Sequence, residues 1–264
     1  PTISDSYFYH NYAYNGGAIY NRDTDAIISD SIFDYNYAYR DGGAIANDDS
    51  GSTISDSIFD YNYAYSDGGA IANDDSDSTI SNSIFYYNGS NDTGGAMYNY
   101  YSNPTISNSL FYENSTYFYG GAIYNWESDP TIGNSTFTDN YAYYYGGAIA
   151  NYYYSYPSIS DSILYGDYAH KDYNEIYDDG DSATTIIYSD IMGGHAGAGN
   201  IDVDPLFVNG FYLSEDDAGQ ASDSPCIDAG SDTAENLGLS GRTTRTDGVP
   251  DSGTVDMGFH YEIP

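Results

Sequence analysis

TISDSIFDYNYAYSDGGAIANDD, residues 53–75, joins a strand-like run, a cluster of aromatic residues, a Gly pair and an Asp cluster. The same letters return along the chain. Gly pairs stand at 16–17, 42–43, 68–69, 94–95, 120–121 and 146–147, a constant step of 26 residues from Gly16 to Gly42 onward. Phe8, Phe33, Phe59, Phe85, Phe111 and Phe137 keep nearly the same step, and Leu164 continues the row. Ile3, Ile28, Ile54, Ile80, Ile106, Ile132 and Ile159 head the strand-like run. A fixed period of this length marks a solenoid.

The repeat type follows by elimination. A helical repeat needs apolar residues at i, i+3, i+4 and i+7 over about 11 residues, and residues 53–75 hold no such stretch. A leucine-rich repeat needs regular Leu. What the repeat does hold is Gly pairs, β-branched and aromatic residues, and Asn or Asp at corners. The reading is an all-β parallel β-helix (single-stranded, about 7–8 coils of 26 residues), with coils stacked about 4.8 Å apart.

In such a stack each residue lies over its copy in the next coil. Two Asn rows are then ladders: Asn11, Asn36, Asn62, Asn88, Asn114 and Asn140, and Asn21, Asn47, Asn73, Asn99, Asn125 and Asn151. An amide at a bend can bond its copies above and below and satisfy backbone groups there. Ile54, Ser57, Phe59, Ala64 and the Ala70–Ile71 region are expected to face inward. The Gly pair is expected to supply positive φ or a close backbone approach. Pro104, Pro130 and Pro157 sit just before strands, where a missing N–H costs least. Beyond residue 159 the pattern loosens. Residues 1–212 read as the coils, and 213–264 as an irregular C-terminal cap over the open end.

Forty acidic residues against 5 basic ones give a net charge of -35 over 264 residues. That excludes nucleic acid, whose phosphates need Lys and Arg, and disfavours anionic membrane surfaces. With 35 Tyr and 10 Phe there is ample apolar area to bury, so the chain is not read as disordered. Cys226 is alone, which leaves neither a disulfide framework nor a Cys-based metal cluster. No apolar run is long enough for membrane insertion as a helix. Pro1 leads straight into a strand, which suggests a processed or trimmed chain and an extracellular location.

The Gly-Gly-Ala-Ile steps and Phe-x-x-Asn motifs (FYHN at 8–11, FDYN at 33–36 and 59–62, FYYN at 85–88, FYEN at 111–114, FTDN at 137–140) resemble the repeats of chlamydial polymorphic outer membrane proteins. They also resemble the wider group of secreted right-handed parallel β-helix repeat proteins. GNIDVDPLF, SPCIDAG and VDMGFHYE resemble that group's closing stretch. The resemblance implies right-handed coils and life at the cell surface or outside the cell. Tyr is far more abundant here than such repeats need.

Four features are candidates for function. Tyr12, Tyr37, Tyr63 and Tyr141 share one column, and Tyr14, Tyr39, Tyr65, Tyr117 and Tyr143 another, giving a surface tyrosine stripe for packing, adhesion or glycans. Asp48, Asp49, Asp74, Asp75 and Asp77 are candidate ligands of Ca²⁺, set against a merely solvated acidic face. Asn91 is the best-placed glycosylation sequon, because Asn88 and Asn114 belong to a ladder. No catalytic residue stands out: acid pairs can be drawn anywhere among so many carboxylates, and His10, His170, His195 and His260 are scattered. The start has no cap before its first strand, and head-to-tail contact with another copy would cover it. The expectation is therefore a non-enzymatic extracellular structural protein that self-associates into a filament. The alternatives are a monomeric adhesin and a β-helix that binds or degrades carbohydrate.

Overall fold

The computed structural model describes residues 1–263. The chain winds into eight stacked coils with four short strands in each of the first seven. First strands run from Thr2–Ser4 to Thr185–Ile187, and second strands from Tyr7–Tyr9 to Asp190–Ile191. Third strands run from Tyr12–Ala13 to Tyr168–Ala169, and fourth strands from Ile19–Arg22 to Ile176–Asp178. Each series forms its own parallel sheet, two of eight strands and two of seven. Pairing is residue on equivalent residue, as in Ile54 on Ile80 and Phe59 on Phe85.

The register places one side-chain type in each core column. Phe33, Phe59, Phe85, Phe111 and Phe137 are fully buried. From Phe8 to Phe137 their rings stack at 4.6–4.8 Å between centroids, within 4° of parallel. The Ile column from Ile28 to Ile186 and the Ile45–Ile149 column complete the interior. Burying each such side chain contributes about 1.5–3 kcal/mol. The inward positions expected of Ile54, Ser57, Phe59, Ala64, Ala70 and Ile71 are all buried.

Polar ladders run between the apolar columns. Asn88 Nδ2 donates to Asn114 Oδ1 at 3.0 Å and to Phe59 O at 2.9 Å, while its Oδ1 accepts from the backbone N and Nδ2 of Asn62. The second ladder shares the amide-to-amide bond, with Asn73 Nδ2 donating to Asn99 Oδ1 at 2.9 Å, but its further bonds go to serine hydroxyls rather than backbone, Ser78 Oγ donating to Asn73 Oδ1. Two serine ladders, Ser31 to Ser189 and Ser50 to Ser182, accept backbone N–H bonds from coil to coil.

The two glycines of a pair do different work. Gly68 has φ +66°, the left-handed region. A Cβ on Gly69 would lie 2.5 Å from the carbonyl oxygen of Gly89 and 2.6 Å from its nitrogen. One supplies a turn and the other a close approach. The coil length departs from 26 three times, to a 25-residue step between Asn11 and Asn36 and to 27-residue steps between Ser128 and Ser155 and between Ser155 and Ser182. All three changes fall in loops, so the strands keep register.

The expected position of the cap needs correction. Residues 192–201 fold over the last coil, where Ile191 N donates to Ile201 O and Asn200 Nδ2 to Ile186 O. Residues 213–263 instead run back along the flank of the coils. His260 exchanges bonds with Asn108, Ser231 bonds Asp161, and Arg242 reaches Asp56 in the third coil at 2.9 Å. The reason is chemical: Asp56, Asn108 and Asp161 turn the same corner with positive φ, and that corner offers carboxylates and amides outward. Arg242 and Arg245, two of the five basic residues, are both used on this flank.

Candidate functional site

The third strands build the most distinctive surface. In Tyr63-Ala64-Tyr65 the alanine points inward and both tyrosines outward, so two tyrosine columns lie side by side. Tyr12 stacks on Tyr37 at 4.6 Å, Tyr37 on Tyr63 at 5.7 Å and Tyr117 on Tyr143 at 5.1 Å. Tyr12 also meets Tyr39 edge-on at 4.7 Å, which couples the columns. Tyr14, Tyr39, Tyr65 and Tyr117 are each more than half exposed, and Tyr12 and Tyr141 are exposed as well. Tyr37, Tyr63 and Tyr143 are half-buried by their neighbours. The rings therefore both stack on one another and face solvent. Tyr35, Tyr61 and Tyr87 add a third stacked column at the preceding corner, as regular in spacing as the other two.

The acidic residues are spread over several columns. Asp48 pairs in register with Asp74, and Asp49 and Asp75 occupy the next position with positive φ. Asp77 stands in a column where carboxylates alternate with neutral residues: Asp25, Gly51, Asp77, Asn103, Asp129. Each of these Asp accepts a backbone N–H of the next coil, Asp77 from Asn103 at 2.6 Å. Alternation keeps like charges about 10 Å apart, close to a Debye length at ordinary salt. Asp74 is pushed above the usual carboxylate range, mainly by burial and then by Asp75 and Asp48. The five Asp do not converge on one point.

Among the described residues, Asp251, Asp256 and His260 are the set of three ligand-type side chains whose atoms lie within 4.8 Å. All three are already bonded. His260 Nε2 lies 2.8 Å from Asp251 Oδ2 and Nδ1 lies 2.9 Å from Gly258 O, so both ring nitrogens are already engaged. Asp256 accepts from Thr244 and from Asp228 N. The trio braces the returning segment internally, since the partners of its side chains, Thr244, Asp228 and Gly258, all belong to that segment; no repeat or metal-ligand spacing marks it in the sequence.

Both asparagine ladders end on carboxylates. Asn140 donates its backbone N and its Nδ2 to Asp167 Oδ1, and Asn151 donates to Asp178 Oδ1. Asp167 lies beside Glu175, and both are almost fully buried. Burial first and mutual repulsion second raise the Glu175 carboxyl far above its ordinary range, and burial raises Asp167. The pair holds a proton at neutral pH. A folded state that keeps a proton the unfolded chain has released is fully stable below the unfolded value, about pH 4. It loses stability as pH rises from there through the folded value. Glu175→Gln replaces the shared proton with an amide that does not titrate. Thermal melts from pH 5 to 9 should therefore fall less steeply for Glu175→Gln than for the parent, by up to about 1.4 kcal/mol per pH unit. Parallel curves would refute the pairing.

Asn88 and Asn114 are fully buried in their ladder, while Asn91 is half-exposed and its Oδ1 accepts from Tyr63 Oη at 2.6 Å. A groove of about 310 Å³ lies where the returning segment meets the coils, lined by Asp30, Asp56, Asn82, Arg242 and Tyr261. No helix of the described residues is long and apolar enough to cross a membrane.

These stacked parallel coils define a β-solenoid, and comparison with protein families agrees. The chain belongs to the right-handed β-helix family: the model described as a right handed beta helix region matches residues 1–164. The coils are accordingly right-handed. No curated protein and no solved structure matches the chain.

Proposed function

We propose that this chain is a non-catalytic structural solenoid of the cell exterior, a rigid rod that joins copies of itself into fibres through its tyrosine columns. The observation that carries this reading is the two-wide exposed tyrosine face on the third strands. Contiguous exposed aromatic surface of this kind marks an interaction face. The resemblance to surface-protein repeats supports the location. The loop 192–201 occupies strand edges at the far end, so contact along the flank is favoured over end-to-end strand pairing.

With a net charge of -35, copies repel one another at low ionic strength, and screening by salt or Ca²⁺ lets the aromatic faces meet. Sedimentation velocity should show a monomer in about 10 mM salt, where the Debye length is about 30 Å. Larger species should appear as NaCl or Ca²⁺ is raised. Exchanging Tyr39 and Tyr65 for Ser should reduce that assembly at least tenfold. A monomer at every salt and Ca²⁺ concentration would overturn the reading.

A further inference from the structure

The tyrosine face has one break, and the break is built. Five third strands carry a Tyr-Ala-Tyr or Tyr-Ala-His triplet: 12–14, 37–39, 63–65, 141–143 and 168–170. The fourth and fifth coils carry Gly89-Ser90-Asn91 and Ser115-Thr116-Tyr117 instead. Register places Gly89 on Tyr63, Ser115 on Gly89 and Tyr141 on Ser115. Two rings are thus missing from an otherwise continuous column, and the gap is a recess of about 420 Å³.

The inward positions change in concert. Where other coils bury Ala, these bury Ser90 and Thr116, whose hydroxyls bond each other at 3.0 Å, and Thr116 Oγ1 also donates to Asp92 O. Every buried hydroxyl therefore has a partner, so the strand is not weakened where its surface is cut away. Tyr63 and Tyr141 bound the recess below and above. Tyr87 stands on one side and Tyr117 with Tyr143 on the other. Because rings in these columns stack face to face, removing two neighbours leaves ring faces open to the gap.

Charge sets the class of ligand. In a chain with 40 acidic residues, no acidic or basic side chain lines this recess. Polar groups there are neutral: the Ser115 hydroxyl, the Asn91 amide and the tyrosine hydroxyls. Aromatic faces with a few neutral hydrogen-bonding groups, in a pocket within the usual range of about 300–1,000 Å³, suit a small neutral polyhydroxylated ring. A cation finds no partner here, and an anionic sugar is repelled by the molecule as a whole.

We propose that the recess over Gly89 and Ser115 binds a neutral pyranose unit of a glycan, stacked against Tyr63 or Tyr141 and hydrogen-bonded by Ser115 and Asn91. This goes beyond the structural role proposed above and does not depend on it.

The test is calorimetric titration of the full chain with cellohexaose, xylohexaose, mannohexaose and chitohexaose. Trigalacturonate serves as the anionic control and p-cresol as the control for plain aromatic filling. At least one neutral oligosaccharide should bind with one-to-one stoichiometry, and neither control should match it. Ser115→Tyr restores the repeat and refills the column, so it should keep or raise the melting temperature while weakening binding at least tenfold. Tyr141→Ala should weaken binding similarly. Failure of every neutral sugar to bind, equal binding by either control, or undiminished binding by Ser115→Tyr would overturn the proposal. Salt-dependent assembly of Ser115→Tyr should match the parent; a loss there would instead assign the recess to contact between copies and also overturn it.

Discussion

Gly69→Ala is expected to abolish folding at ordinary temperature, or to cost about 4 kcal/mol or more where a folded form survives, beyond the range of most point mutations. The added methyl group would meet only main chain: Gly89 O at 2.5 Å, Gly89 N at 2.6 Å, and the Gly95 carbonyl closer still. No rotamer change relieves a clash with backbone. Moving the backbone would break register with coils on both sides, because Gly43 and Gly95 are packed in the same way. Gly238 is the control: it has φ +76° with nothing within 4 Å of its Cβ position. Gly238→Ala should cost only about 1–2 kcal/mol, the ordinary penalty of a left-handed residue. Urea denaturation of both variants checks the pair. Similar losses would show that the close approach at Gly69 is not what the fold depends on.

Asn88→Asp should cost about 3–5 kcal/mol at neutral pH, as expected when a buried charge faces groups that cannot pair with it. Its carboxylate would accept from Asn62 as the amide does. On its other side it would confront Phe59 O and Asn114 Oδ1, both acceptors. Only the protonated acid can donate there, so the folded-state pKa of the new group must lie above its unfolded value. The folded variant then binds a proton that the unfolded chain lacks, and the penalty shrinks as pH falls towards the unfolded carboxyl value near 4. Asn88→Ala has no such proton, and its loss relative to the parent should stay flat with pH. Urea midpoints measured between pH 4 and 8 separate the two variants. A pH-independent loss in Asn88→Asp would mean that the amide ladder is not a one-way chain of donors.

The fold was legible because each coil must repeat what its neighbour does. Identical residues at Phe59 and Phe85, or Asn62 and Asn88, are a physical demand of parallel register, and the demand is written directly in the spacing. The serine ladders are just as regular, but Ser is common in loops and its burial at Ser57 and Ser83 appears only in three dimensions. The returning segment was misplaced for a different reason. Its contacts join His260 to Asn108 and Arg242 to Asp56, more than 150 residues apart, and no period relates them. The surface tyrosines were visible as columns, but the recess at Gly89 and Ser115 reads in sequence only as two imperfect repeats. Its inward compensation by Ser90 and Thr116 needs geometry to be recognised.

The carboxylate ends of the asparagine ladders have a consequence for how such a molecule can change its size. An Asn passes on a hydrogen from each coil to the next, so a duplicated copy of residues 79–104 inserted between existing coils would receive and donate in the same sense as its neighbours. Each insertion would lengthen the rod by about 4.8 Å. Asp167 and Asp178 receive without passing anything on. They terminate both ladders in the seventh coil: the chain can grow from within by tandem duplication, while the coil that closes the ladders keeps its place.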